Sequence, residues 1–306
     1  MIPKKLKIGD KLGTCTPSDP VEGGPNDPRF LRGVAEVEKL GFRVLLSKNF
    51  NSTDPKKKAE DLKELFSNPE VKGIVSTVGG NSIQKTLEFI DWKTIKANPK
   101  VFVGFSDVTA LLNAIYTKTG LITFQGPEIR HSFGQYSTDY DKREFIDRLV
   151  KGKIGEIPAA AERKTVHGGR AEGKLLGGNL GALLKLAGTE YWPDFSNSIL
   201  LLEDYHRRGE EIYKLLEQLR GEGVFDKIKG VVVGFIYGLQ KEWPKDKQLE
   251  QSLLELTAEK DFPILKTEDF GHHNPVATLP IGAKISVDAG KKTISILEKC
   301  VLDEEE

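Results

Sequence analysis

Cysteine, surplus charge and long apolar runs are what this chain of 306 residues has least of. Cys15 and Cys300 stand near opposite ends, which gives neither a disulfide framework nor a Cys-rich metal site. No apolar run approaches the roughly 18 residues that a membrane span needs. The opening Met1-Ile2-Pro3-Lys4-Lys5 has charge but no apolar stretch after it, so it does not read as a secretory signal. Lysine plus arginine number 45 and the acids 45. That balance leaves no basic excess for nucleic acid or an anionic membrane. Lys56-Lys57-Lys58 opens a helix and reads as a solvated face. No internal repeat is present. The expectation is a soluble, cytoplasmic chain with no nucleic-acid or membrane partner.

At twice a typical domain length, and with 38% of its residues hydrophobic, the chain can hold two cores. The first half alternates strand-like and helix-like segments. Strands are expected over 11–16, 42–46, 71–77, 101–105 and 121–124, and helices over 82–89, 107–118 and 140–150. Another helix carries Phe30, Val34 and Val37, and one begins at Asp54-Pro55 as N-cap and first residue. Alternation of this kind implies a parallel sheet covered on both faces. In such sheets ligands bind beyond the carboxyl ends of the strands, where Gly79-Gly80 and Ser106 both fall. Residues 151–170 hold several glycines and little periodicity, and read as linker plus loop. The second half has strands at 199–202 and 230–236, helices at 210–219 and 246–258, and a hairpin of 284–288 with 293–298. The reading is therefore α/β, with an N-terminal domain over 1–150 and a β-rich α/β domain over 171–306. Residues 303–306 read as a disordered acidic tail.

The sharpest local signal is Gly104-Phe105-Ser106-Asp107, between an apolar strand and a helix. A serine there is lifted off the sheet beside free backbone N–H groups, which suits a nucleophile and its oxyanion. Val108 departs from Gly-x-Ser-x-Gly, and Ser106 equally suits a helix cap. A serine nucleophile needs a base and an acceptor that fixes the base. Of five histidines, His131, His167 and His206 read as surface residues. His272 and His273 follow a strand over 263–266, and adjacent histidines point different ways. Glu203 ends the run Ile199-Leu200-Leu201-Leu202, where a buried carboxylate needs a partner. Its alternative is the strand's exit into solvent. Gly79-Gly80-Asn81-Ser82 suits either a tight turn or an oxyanion nest. Gly177-Gly178-Asn179-Leu180, opening a helix, is equally ambiguous.

Together and in order these fragments resemble the LD-carboxypeptidases, including the microcin immunity branch. The blocks are Val78-Gly79-Gly80, Asn98-Pro99-Lys100, Gly104-Phe105-Ser106-Asp107-Val108-Thr109, Leu121 to Pro127, Leu176-Gly177-Gly178-Asn179-Leu180, Leu201-Leu202-Glu203-Asp204, and Asp269-Phe270-Gly271-His272. The resemblance covers nearly the whole chain. It implies a flavodoxin-like N-terminal domain, a swivelling or barrel-like C-terminal domain, and a homodimer. It also implies a serine peptidase without metal or organic cofactor, acting on a small peptide or a peptidyl nucleotide.

On that resemblance Ser106 attacks, His272 takes its proton and Glu203 orients His272. The backbone N–H groups of Gly80 and Asp107 would form the oxyanion hole, with Gly79 the poorer donor. His273 is expected beside or outside the site. Residues 150–176 hold no Trp, Phe or Tyr, so a base-stacking loop there is in doubt. The competing reading is a phosphate-binding, kinase-like module built on Gly79-Gly80. Asn81, standing where such kinases place aspartate, and the absence of Gly-x-x-x-x-Gly-Lys-Ser/Thr weigh against it.

Overall fold

The computed structural model describes residues 1–273 and 275–303. Five short strands, β1 (Lys11–Thr14), β2 (Arg43–Leu46), β3 (Val71–Val75), β4 (Val101–Gly104) and β5 (Thr123–Gln125), form a parallel sheet in the order β2-β1-β3-β4-β5. That is the flavodoxin-like order, with its switch point between β1 and β3. β4 is buried along its whole length, because helices cover both faces. The helix Pro28–Lys39 is capped by Asp27, whose carboxylate accepts from the N–H groups of Arg29 and Phe30. The helix Pro55–Ser67 starts at the Asp54 cap, as its Asp-Pro signature requires. Of the lysine run expected at a solvated face, Lys56 and Lys57 are exposed and Lys58 is the correction. It lies on the inner face beside Leu62, is 5% exposed, and donates to the Ser18 carbonyl.

Residues 151–170, expected to be linker and loop, contain β6 (Gly155–Glu156) and β7 (Lys164–His167). They lie at opposite edges of a second sheet, whose other strands are β8 (Arg170–Asn179), β9 (Ser198–Glu203), β10 (Gly230–Phe235), β11 (Ile264–Gly271), β13 (Lys284–Asp288) and β14 (Thr293–Ile296). Its order is β6-β14-β13-β8-β9-β10-β11-β7, with β8 to β11 parallel. No pairing among the described residues joins β6 to β7, so the sheet is open rather than a closed barrel. β12 (Leu279–Ile281) leaves this half and pairs antiparallel with β5, as the last strand of the first sheet.

The two parallel arrays therefore meet at their carboxyl edges. Thr109, just after the Ser106 turn, accepts from the Asn179 N–H at 3.0 Å, and Asn113 exchanges two hydrogen bonds with the Gly177 backbone. Buried apolar side chains run without a break from Leu6 to Val301. Of the acidic tail, Asp303 pairs with Lys5, and residues 304–306 lie outside the described residues.

Candidate active site

Three strand ends deliver the three predicted side chains to one point. β4 ends at Gly104, and after Phe105 the chain turns through Ser106 into a short 3-10 turn and the helix Thr109–Thr119. Ser106 has φ 55° there, the left-handed region that costs a side-chain-bearing residue about 1–3 kcal/mol. The distortion lifts its Oγ off the sheet. β9 ends on Glu203 and β11 ends one residue before His272.

The Ser106 Oγ lies 2.9 Å from His272 Nε2, and His272 Nδ1 lies 2.6 Å from Glu203 Oε2. An ionised carboxylate only accepts, so Nδ1 carries the ring proton and Nε2 is left to accept from the serine hydroxyl. Glu203 is fully buried and His272 is 9% exposed. A carboxylate so deep is tolerable because its other oxygen accepts from Asn179 Nδ2 at 3.0 Å. The His272 ring is held between Phe105 and Tyr205, each with its centroid 4.6 Å away. Asn179, Phe105 and Tyr205 were not singled out from sequence for these tasks. An asparagine closing a buried strand and capping the next helix was the available signal for the first.

Gly79 and Gly80 stand over the serine. A Cβ at Gly79 would come within 2.7 Å of Ser106 Cβ and 2.9 Å of its Oγ. Gly80 has φ 144°, and a Cβ there would collide with Asp19. The Gly79 carbonyl accepts from the Asp19 N–H at 3.3 Å. In a trans peptide the following N–H, that of Gly80, points the opposite way. The Asp107 carboxylate is pinned by Ser18 Oγ at 2.5 Å, Ile83 N–H at 3.0 Å and Lys185 Nζ at 2.5 Å, which fixes the backbone that follows Ser106.

Two cavities flank the relay. One of about 230 Å³ opens on Ser106, Gly80 and Asp107, and is lined by Lys185 and Arg207 together with the carboxylates of Asp107 and Asp204. The other, of about 650 Å³, lies against His272 and is lined by Tyr205, Phe235, Tyr237, His131 and Lys241. His131, expected at the surface, is half-buried here, and burial followed by the nearness of His272 pushes its pKa down to about 4. His273 packs edge-on against Phe235, its ring centroid 3.7 Å away, and Asn274 lies outside the described residues. His167 is remote from the relay, its ring against the Phe262 carbonyl, whereas His206, expected at the surface, pairs with Glu242 and lines the smaller cavity beside Ser106.

With this geometry in hand, the comparisons with known proteins are decisive. Residues 12–126 match the LD-carboxypeptidase N-terminal domain, and residues 172–287 match the LD-carboxypeptidase C-terminal domain. The chain belongs to the LD-carboxypeptidase family. It is 33% identical to the microcin C7 self-immunity protein of Escherichia coli, over 96% of this chain and 95% of that one. The probable murein peptide carboxypeptidase of Bacillus subtilis is 29% identical, over 96% of this chain and 93% of its own length. A structure of the microcin C7 self-immunity protein in complex with aspartyl sulfamoyl adenosine superposes with a TM-score of 0.90, at 31% identity, covering 99% of this chain and 100% of that one. As a member of this LD-carboxypeptidase family the chain is a serine-type peptidase, a hydrolase of amide bonds in small peptides or peptide-like molecules. The kinase-like alternative is thereby set aside.

Proposed function

We propose that Ser106 is the nucleophile of this LD-carboxypeptidase, His272 its base and Glu203 the group that orients the base. The observation that carries the reading is the unbroken relay Glu203–His272–Ser106 at the mouth of a cavity. His272 Nε2 takes the Ser106 proton as Oγ attacks the scissile carbonyl. The negative charge that develops on the carbonyl oxygen is met by the backbone N–H groups of Gly80 and Asp107, which need no rearrangement to receive it. His272 then gives the proton to the leaving nitrogen, and water, activated by the same imidazole, releases the acyl group. None of these steps requires a metal or organic cofactor.

The two cavities support a division of the substrate. The leaving group is protonated by His272 and so departs on the His272 side, where the walls are Tyr205, Phe235 and Tyr237. The acyl portion sits on the Ser106 side, where the half-exposed Arg207 can hold a carboxylate. An aromatic-walled leaving-group side suits the base of a nucleotide, which can stack on such rings. It supplies, from β10 and the turn after β9, the rings that residues 150–176 lack. We therefore favour an acyl or peptidyl nucleotide over a murein LD-peptide. On the same reading the enzyme works as a cytoplasmic homodimer, with a nucleophile domain over 1–150 and the domain carrying Glu203 and His272 over 171–306.

The test is labelling with a fluorophosphonate followed by peptide mapping, beside hydrolysis of aspartyl sulfamoyl adenosine. Modification confined to Ser106, with both labelling and hydrolysis lost in Ser106→Ala, is the expected result. Labelling of a different serine, or hydrolysis that survives Ser106→Ala, overturns the reading.

A further inference from the structure

Asp19 has no task in the chemistry above, yet it is packed directly on the loop which that chemistry uses. It follows β1 as Gly79 and Gly80 follow β3, and the two strands are parallel neighbours in the sheet. The two loops therefore leave the same carboxyl edge side by side. The segment before Asp19 is itself anchored, because Lys58 Nζ donates to the Ser18 carbonyl and Ser18 Oγ donates to the Asp107 carboxylate.

Asp19 holds both peptides that meet at Gly80. Its N–H donates at 3.3 Å to the Gly79 carbonyl, which belongs to the same peptide as the Gly80 N–H. Its carboxylate takes the next peptide: Oδ2 accepts from the Asn81 N–H at 3.0 Å, while Oδ1 accepts from Ser82 Oγ at 2.5 Å. The contact is so close that a Cβ on Gly80 would lie 2.5 Å from Asp19 Cβ and 2.7 Å from its backbone nitrogen. Two successive glycines have very wide backbone freedom, so this loop keeps one shape only if its peptides are tied from outside.

We infer that Asp19 is a positioning residue for the oxyanion hole. By holding the peptides on either side of Gly80 it aims the Gly80 N–H at the acyl oxygen on Ser106. The role rests on the serine reading given under Proposed function. What it asks of the Asp19 side chain is an acceptor for the Asn81 N–H and a partner for Ser82 Oγ, not a negative charge. An asparagine offers both, its carbonyl oxygen to the first and its NH2 group to the second.

The experiment compares Asp19→Ala and Asp19→Asn with the wild type in steady-state hydrolysis of aspartyl sulfamoyl adenosine, with Ser106→Ala in parallel. A misplaced oxyanion donor is felt in the transition state, so Asp19→Ala should lower kcat by about 10-fold or more while KM stays within about twofold. Asp19→Asn should keep kcat within about threefold of the wild type, because the contacts are restored. Wild-type kcat in Asp19→Ala overturns the role. So does an equal fall in both variants, which would assign the effect to the charge. Turnover that survives Ser106→Ala would overturn the serine reading itself rather than this step. If the wild type leaves the compound intact, the substrate reading fails alone. The same comparison is then made on the rate of Ser106 labelling by the fluorophosphonate, whose phosphoryl oxygen enters the same hole. Should Asp19→Ala fail to fold, hydrogen exchange of the Asn81 amide in the wild type decides. Asn81 is exposed, so its N–H is protected only if the bond to Asp19 holds, and fast exchange there overturns the proposal.

Discussion

The backbone at Ser106 stores energy where the chemistry is done. Its φ of 55° falls at the step from β4 into the 3-10 turn. A Cβ at Gly104 would already strike Val108 Cγ1 at 2.4 Å, so the turn is closed tightly on itself. Glycine adopts the left-handed region without the Cβ clash that any other residue carries there. Two inactive variants should therefore differ in stability: Ser106→Gly ought to exceed Ser106→Ala by about 1 kcal/mol. Denaturant unfolding of the pair measures this, and an equal or lower midpoint for the glycine variant would show that the turn is unstrained. The comparison uses Ala rather than wild type because both variants lose the hydrogen bond to His272 alike.

One pair of helices packs backbone against backbone. The helix Pro28–Lys39 lies against the helix Ile129–Tyr136, and glycine makes the contact on each side. A Cβ at Gly33 would come 1.9 Å from the Ile129 carbonyl oxygen, and one at Gly134 would come 2.0 Å from that of Arg29. Backbone cannot give way as a flexible side chain does, so the helices would have to separate. Gly33→Ala and Gly134→Ala should each cost about 1–3 kcal/mol despite the better helix propensity of alanine. Thermal unfolding checks both, and a stabilised variant would contradict the close packing. The helix Ile129–Tyr136 was not legible in the sequence, since Gly134 lies inside it and Glu128 offers no side-chain cap. Its order comes from a neighbour distant in sequence. β6 and β7 escaped for a related reason: runs of two and four residues set among Gly and Pro gain their form from the sheet edge they join. By contrast β4 and β9 were legible because strands covered on both faces read as plain apolar runs. Lys58 was missed although its spacing four residues before Leu62 put it on the buried face. Ser106, Glu203 and His272 were legible individually as strand ends. Their convergence came from the family resemblance and not from periodicity or spacing, because it depends on how two sheets meet.

That meeting makes the molecule one mechanical unit. The relay takes its serine from the first sheet and its other two members from the second. Links away from the site repeat the pattern: β12 completes the first sheet from the far end of the chain, and Asp141 accepts from the Val276 N–H at 2.6 Å. Within the second half Arg163 and Asp269 form an ion pair at 2.7 Å with side chains 2% and 3% exposed, tying the segment before β7 to β11. Removing residues after 150 would strip β5 of its outer partner and expose the carboxyl edge of the first sheet. Neither half can therefore lose its structure without exposing apolar surface of the other, and such coupling makes unfolding cooperative. Calorimetry of the whole chain should give a single transition whose calorimetric and van't Hoff enthalpies agree, with loss of Ser106 labelling tracking it. Two resolved transitions would mean that the halves fold separately. The site would then be assembled by docking, and its geometry would depend on an interface rather than on a continuous core.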